Sequence, residues 1–169
     1  TDNHVVRRID PLTGIATIVA GRAGEEGFSG DGGPATDAQL SRPGAVSVTD
    51  AGTLYIGDTG NRRVRCVDPS TGTIATVAGT GERGRFPDFV NSIPTGEVEF
   101  GEIVSLLAGS TTIFVGDGLD ADGNGNNQIL QILLDQDSTQ VIAGTGRPDY
   151  SGEGGIPTDA GMTVEGMAA

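Results

Sequence analysis

Three glycines, Gly21, Gly79 and Gly144, end three similar segments, and their spacing of 58 and 65 residues constrains this chain more than any other feature. The segments read GIATIVAGRAG from Gly14, GTIATVAGTG from Gly72 and TQVIAGTG from Thr139. The likeness extends upstream. TDNHVVRRIDPLTG from Thr1 lies under TGNRRVRCVDPSTG from Thr59, which sets Asn3 under Asn61 and Asp10 under Asp68. A chain that repeats at such a period is built from units too small to bury their own apolar faces, so neighbouring units must stack.

Within one period every signal is for β structure. GAVSV, TLYIGD, RVRCVD and TIATVAG are short runs rich in β-branched residues, predicting strands at 44–48, 53–58, 63–68 and 73–79. Between them stand TDAG, TGN and PSTG, where Gly and Asn tolerate positive φ, Pro presets φ, and Asp and Ser bond nearby amides. Four short strands joined by tight turns make an antiparallel sheet with two faces to cover. Radial stacking of such sheets is the β-propeller, and the fold class predicted is all-β with four-stranded blades. The connection into each blade repeats as well. Gly27–Val48 returns as Asp149–Ala169, while the middle copy has degenerated and retains Thr95, Gly96 and the apolar Phe100 near the place of Leu40. PATDAQL, with Pro34 early and Asp37 near its start, closes one helical turn. The repeats are 22–79 and 80–144, with partial copies at 1–21 and 145–169.

The run SGDGGPATDAQLSRPGAVSV followed by GTLYIGDTGNRRVRCVDPSTGTIATVAGTG resembles the NHL repeat in the long-blade form of bacterial secreted proteins and teneurin-like surface proteins. The resemblance covers nearly the whole chain. It is strongest in the second copy and weakest between Arg83 and Asp117. It implies a propeller, usually six-bladed, that serves as an extracellular binding or scaffold module for protein or glycan. Its alternative is a propeller enzyme, a lyase or hydrolase, whose active site is completed by residues outside this segment.

Charge narrows the partners. Twenty-three acids face ten bases, a net charge of −13, and every base is Arg. Such a surface repels phosphate backbones, which excludes nucleic acid. No apolar run approaches the ~20 residues of a membrane helix, so membrane insertion is not expected. Cys66 is single and occupies the slot of Arg8, a tolerated strand position and not a nucleophile. His4 is the single histidine and stands where the second copy has Arg62, so no Ser-His-Asp set or histidine metal centre can be assembled and no enzyme is expected.

Two constellations remain. Asp120, Asp122, Asn124 and Asn126 alternate with small residues like the opening of an oxygen-ligand calcium loop, although Gln131 replaces the acid of the twelfth position. An insertion made of turn formers is the plainer reading. No other cofactor is expected, and Ca²⁺ is held open at this loop alone. Arg62, Arg63 and Arg65 form a hairpin that could grip carboxylates of a partner, against the simpler reading that they pair with Asp58 and Asp68. The SGDGG and SGEGG loops read as structural turns, since Asp31 and Glu153 would repel an anion.

The ends of the sequence fall inside one period, Thr1 aligning with Thr59 and Ala169 with Ser47. The expectation is that completing blades come from a longer chain of this kind, or else from another copy.

Overall fold

The computed structural model describes residues 3–84, 92–119 and 125–144. Among these residues, ten strands fall into three antiparallel sheets. Strands β1 (Val6–Ile9) and β2 (Ala16–Ala20) pair alone as half a blade. The first complete blade has the order β3 (Ala45–Val48), β4 (Leu54–Asp58), β5 (Arg63–Val67), β6 (Ile74–Ala78). The second follows the same up-and-down order in β7 (Glu102–Ala108), β8 (Thr112–Leu119), β9 (Gly125–Leu133) and β10 (Ser138–Ala143). The strands predicted from the sequence for the first blade lie within one residue of those found. The predicted helical turn is a 3₁₀ turn, Ala35–Asp37, and the degenerate copy forms its counterpart at Thr95–Glu97.

The half-blade repeats the outer half of the first blade residue for residue. Val6 pairs with Ala20, a bulge follows, and Arg7 pairs with Ile18. In the blade Val64 pairs with Ala78, the same bulge follows, and Arg65 pairs with Thr76. The three units therefore obey one backbone rule.

Inner strands β3 and β4 lie against β7 of the next blade. Tyr55, Val64 and Ala78 pack there with Phe100, Ile103, Leu106 and Ile113 in one apolar cluster. On its other face the first blade places Ile56, Val67 and Ile74 against Ala20, Ala35, Ala38 and Leu40. Leu40 and Phe100, matched in sequence, are both fully buried. The outer edges are covered too. Each blade's incoming connection bonds along its fourth strand, Pro34 bridging Thr73 just ahead of β6 and Ile93 bridging Thr139 of β10, which satisfies edge groups that would otherwise template aggregation.

The repeated glycine has one cause in all three units. Gly21, Gly79 and Gly144 have φ of +91°, +101° and +91°, and a Cβ would stand 2.4, 2.4 and 2.2 Å from the carbonyl oxygens of His4, Arg62 and Asn127. Those three contact residues are themselves left-handed, at φ 52°, 51° and 42°. Gly79→Ala therefore meets both strain and collision, and a loss of about 3 kcal/mol is expected. Gly72→Ala, at φ +69° with open space around it, meets strain alone and should cost about 1 kcal/mol. Urea denaturation of the two variants checks the difference.

Candidate functional site

The connection into each blade and the turn between its second and third strands meet at one end of the molecule. A buried aspartate organises each meeting point. Asp58, the last residue of β4, accepts from the Ser41 amide at 2.7 Å and the Asn61 side chain at 2.8 Å. Asp117 in β8 accepts from the amides of Gly101 and Glu102, both at 2.9 Å, and from the Asn126 side chain at 2.6 Å. Each carboxylate thus ties the incoming connection to the turn that follows it, and a buried acid without such donors would be untenable.

The two sites differ in their cations. Beside Asp58 lies Arg65, whose side chain is 0% exposed and whose guanidinium stands 3.3 Å from Asp58 and 2.5 Å from Asp31. It also donates to the Ser29 carbonyl at 3.1 Å. SGDGG is therefore a clasp on an arginine and not an anion cradle. Phe28 covers the group, its ring centre 4.0 Å from the Arg63 guanidinium carbon and 4.9 Å from that of Arg65. Among the described residues Asp117 has no such partner, because Leu130 takes the place of Arg65 in the second blade, as the β8–β9 register requires.

Burial pushes the carboxyls of both Asp58 and Asp117 upward, that of Asp117 to about 7, with their hydrogen bonds opposing the rise. The folded state then keeps a proton on Asp117 that the unfolded chain releases. Stability contributed by this group is fully present below pH 3.8 and is lost as pH rises to about 7.

Of the arginines predicted to dock a partner, Arg65 is withdrawn from the surface into the Asp31 and Asp58 pair, which corrects its reading as a docking residue. Arg63 is half-buried and donates to the carbonyls of Asn61 and Thr80. Arg62 remains partly open at the turn, left-handed at φ 51°. Around the neighbouring turn the structure assembles residues that sequence reasoning passed over. Ser41 donates to Glu26 at 2.6 Å, and the Arg42 amide donates to His4 Nδ1 at 3.2 Å. The Ser41 hydroxyl, aided by the charge of Arg42, holds the Glu26 carboxyl below its ordinary range. A signal was available only in part: His4 shares its repeat position with Arg62, whereas Glu26 and Ser41 are brought together solely by the path of the connection.

Three of the calcium candidates, Asp120, Asp122 and Asn124, lie outside the described residues. Asn126 is buried, and its amide nitrogen is committed to Asp117, just as that of Asn61 is to Asp58. Among the described residues no group of three or more His, Cys, Asp or Glu side chains is placed to hold a metal ion, and no helix is long and apolar enough to cross a membrane.

Comparison with known proteins agrees with this architecture. Part of the chain is 38% identical over 78 residues to teneurin-1 of Mus musculus, covering 40% of this chain and 3% of that protein. A further similarity, 36% over 70 residues, is to protein SUPPRESSOR OF QUENCHING 1, chloroplastic, of Arabidopsis thaliana, covering 41% of this chain and 6% of that protein. The chain thus spans a small fraction of the curated relatives it matches. Among solved structures, a structural genomics protein of unknown function from Bacteroides thetaiotaomicron VPI-5482 superposes with a TM-score of 0.56 at 19% identity, over 83% of this chain and 30% of that one. No protein-family model matches. The fold is a β-propeller-like repeat of four-stranded blades.

Two predictions follow from the aspartates. Arg65→Leu strands Asp58 and Asp31 and should cost about 3 kcal/mol, whereas Arg7→Leu, at the same repeat position but exposed, should cost under about 0.5 kcal/mol. Chemical denaturation separates them. Between pH 4 and 7 the wild-type unfolding free energy from urea denaturation should fall with rising pH, on the order of 1 kcal/mol per pH unit where Asp117 titrates. The Asp117→Asn variant should show a visibly shallower slope.

Proposed function

We propose that this chain is part of an NHL-type β-propeller, six-bladed when whole, that acts as a secreted or cell-surface binding and scaffold module for protein or glycan and is not an enzyme. The observation that carries the reading is the residue after each repeat asparagine. His4 and Arg62, both partly exposed, share one left-handed backbone position, fixed from behind by a glycine and preceded by Asn3 and Asn61, while Asn127 at the same position of the second blade is buried. Different side chains on a constant frame are the arrangement of a recognition surface, where rigid elements hold loops that vary. On this end Arg42 and Arg62 offer forked donors to carboxylates or sulfated sugars.

The partial similarity to teneurin-1 supports an NHL-type reading at a cell surface. The repeat is not bound to one compartment, since another similar protein is named chloroplastic. Against catalysis stands the pairing of the polar groups: the Ser41 hydroxyl is engaged by Glu26, and His4 Nδ1 by a backbone amide, so neither activates the other.

The test is binding of the chain to glycan arrays and to a panel of cell-surface ectodomains. Reversing Arg42 and Arg62 to Glu together should weaken the binding about tenfold or more at unchanged melting temperature. Asp50→Arg, at the opposite end of the blade, should leave it intact. Binding indifferent to the double reversal overturns the assignment of this face, and turnover of a lactone or polysaccharide substrate overturns the non-enzymatic reading.

A further inference from the structure

At the end opposite the turns that carry Arg42 and Arg62, a cavity of about 380 Å³ opens between the β3–β4 hairpin and the β7–β8 hairpin. Both hairpins belong to blades with all four strands, so the cavity is set by the docking of one blade on the next. Its base is closed where the Ala108 amide donates to the Ser47 hydroxyl at 2.9 Å and where Tyr55 packs with Leu106 in the apolar cluster. The rims are short and tied across. The Thr49 amide donates to the Thr53 carbonyl at 3.0 Å, the Thr53 amide to the Thr49 hydroxyl at 3.2 Å, and the Gly109 amide to the Thr112 carbonyl at 2.8 Å. A volume of this size falls in the range of small-molecule pockets.

The lining specifies a chemistry as well as a size. Val48, Ala51 and Ala108 form an apolar side, and Asp50, Tyr55 and Ser110 a polar one. Aligning the blades through Gly57 and Gly116 sets Tyr55 with Phe114, so the repeat needs an aromatic ring there and leaves the hydroxyl unexplained. Tyr55 is only 6% exposed, yet its hydroxyl has no hydrogen-bond partner among the described residues. Nor is that hydroxyl sealed in protein, so the open part of the side chain is its polar tip, facing the cavity. Such a tip takes a partner from the space it faces. Burial pushes the Tyr55 phenol above its ordinary range, which keeps it a neutral hydroxyl that accepts as well as donates. Asp50 on the rim is exposed and has no ion pair among the described residues. None of the described lining residues is basic, and the chain carries a net charge of −13, so an anion is disfavoured and a cation favoured. One carboxylate is too few for a metal ion, and the apolar side suits carbon.

We propose that this cavity binds a small organic ammonium ion, whose N–H groups donate to the Asp50 carboxylate and the Tyr55 hydroxyl oxygen while its carbon chain lies along Val48, Ala51 and Ala108. A charged donor on a carboxylate is the strongest hydrogen bond such a lining can form, and the Ser110 hydroxyl on the other rim offers a further acceptor. The site is independent of which partner binds at the turns.

The experiment titrates n-butylammonium into the whole chain and follows the amide resonances by NMR. Those of Asp50, Tyr55 and Ser110 should shift together and saturate with a Kd on the order of 1 mM, the affinity open to a ligand of so few atoms. Butanol, which keeps the carbon chain and lacks the charge, should bind about tenfold more weakly. Asp50→Asn should weaken the ammonium by about tenfold, and Tyr55→Phe, which keeps the ring that Phe114 supplies in the second blade, by about threefold. Both variants should melt at the wild-type temperature. Absence of a saturable shift, or binding indifferent to both substitutions, overturns the proposal. Equal shifts at exposed acids elsewhere, such as Asp37 and Glu97, overturn it as loose counter-ion association. Saturable shifts from methyl glucoside with none from butylammonium overturn it in favour of a neutral sugar. The double reversal of Arg42 and Arg62 should leave the titration unchanged, and loss of binding in that variant overturns the assignment to this cavity.

Discussion

Everything in this molecule hangs on a carboxylate buried at the end of the second strand of each blade. Asp58 and Asp117 each bind the backbone of the connection arriving from the blade before and the asparagine of the turn leading out. A buried charge is costly, and only a dense set of donors makes the site tolerable. That requirement fixes three segments at once: the incoming connection, the second strand, and the turn into the third. With the turn fixed, the next residue is forced left-handed, and its carbonyl is pressed against a glycine at the end of the fourth strand. One polar interaction thus reaches all four strands of a blade.

The blades meet the same demand differently. In the first, Arg65 is drawn in beside Asp58, and Asp31, Ser29 and Phe28 close over it, so the long connection is pinned along its length. In the second, Leu130 fills that place and Asp117 relies on amide donors alone, which leaves its carboxyl the more responsive to its low-dielectric surroundings. The second connection is instead anchored farther on, where Thr95 donates its amide and hydroxyl to Asp137 and holds that carboxyl below its ordinary range. Asp137 itself stands left-handed, at φ 45°, in the turn where the other units have Gly14 and Gly72.

The turn end presents His4, Arg42 and Arg62 on backbone that cannot move without disturbing the aspartate beneath it, which suits recognition by pre-ordered groups.

The sequence by itself determined the all-β class, the strands of the first blade to within a residue, the repeat glycines and the match of apolar Phe100 to the place of Leu40. These are legible because period-two apolar patterns, turn residues and a fixed repeat spacing are local properties that neighbouring units confirm. Charge was not legible in the same way. Arg63 and Arg65 are two residues apart in one hairpin, yet one is half-open and the other fully enclosed, because Asp31 and Phe28 arrive from more than thirty positions away. Nor could spacing distinguish Asn126 as the partner of a buried aspartate from a candidate metal ligand, since a seven-residue insertion, read from the difference in repeat spacing, hides its equivalence to Asn61. Periodicity fixes which face a side chain takes, but only the path of the connecting chain decides what meets it there.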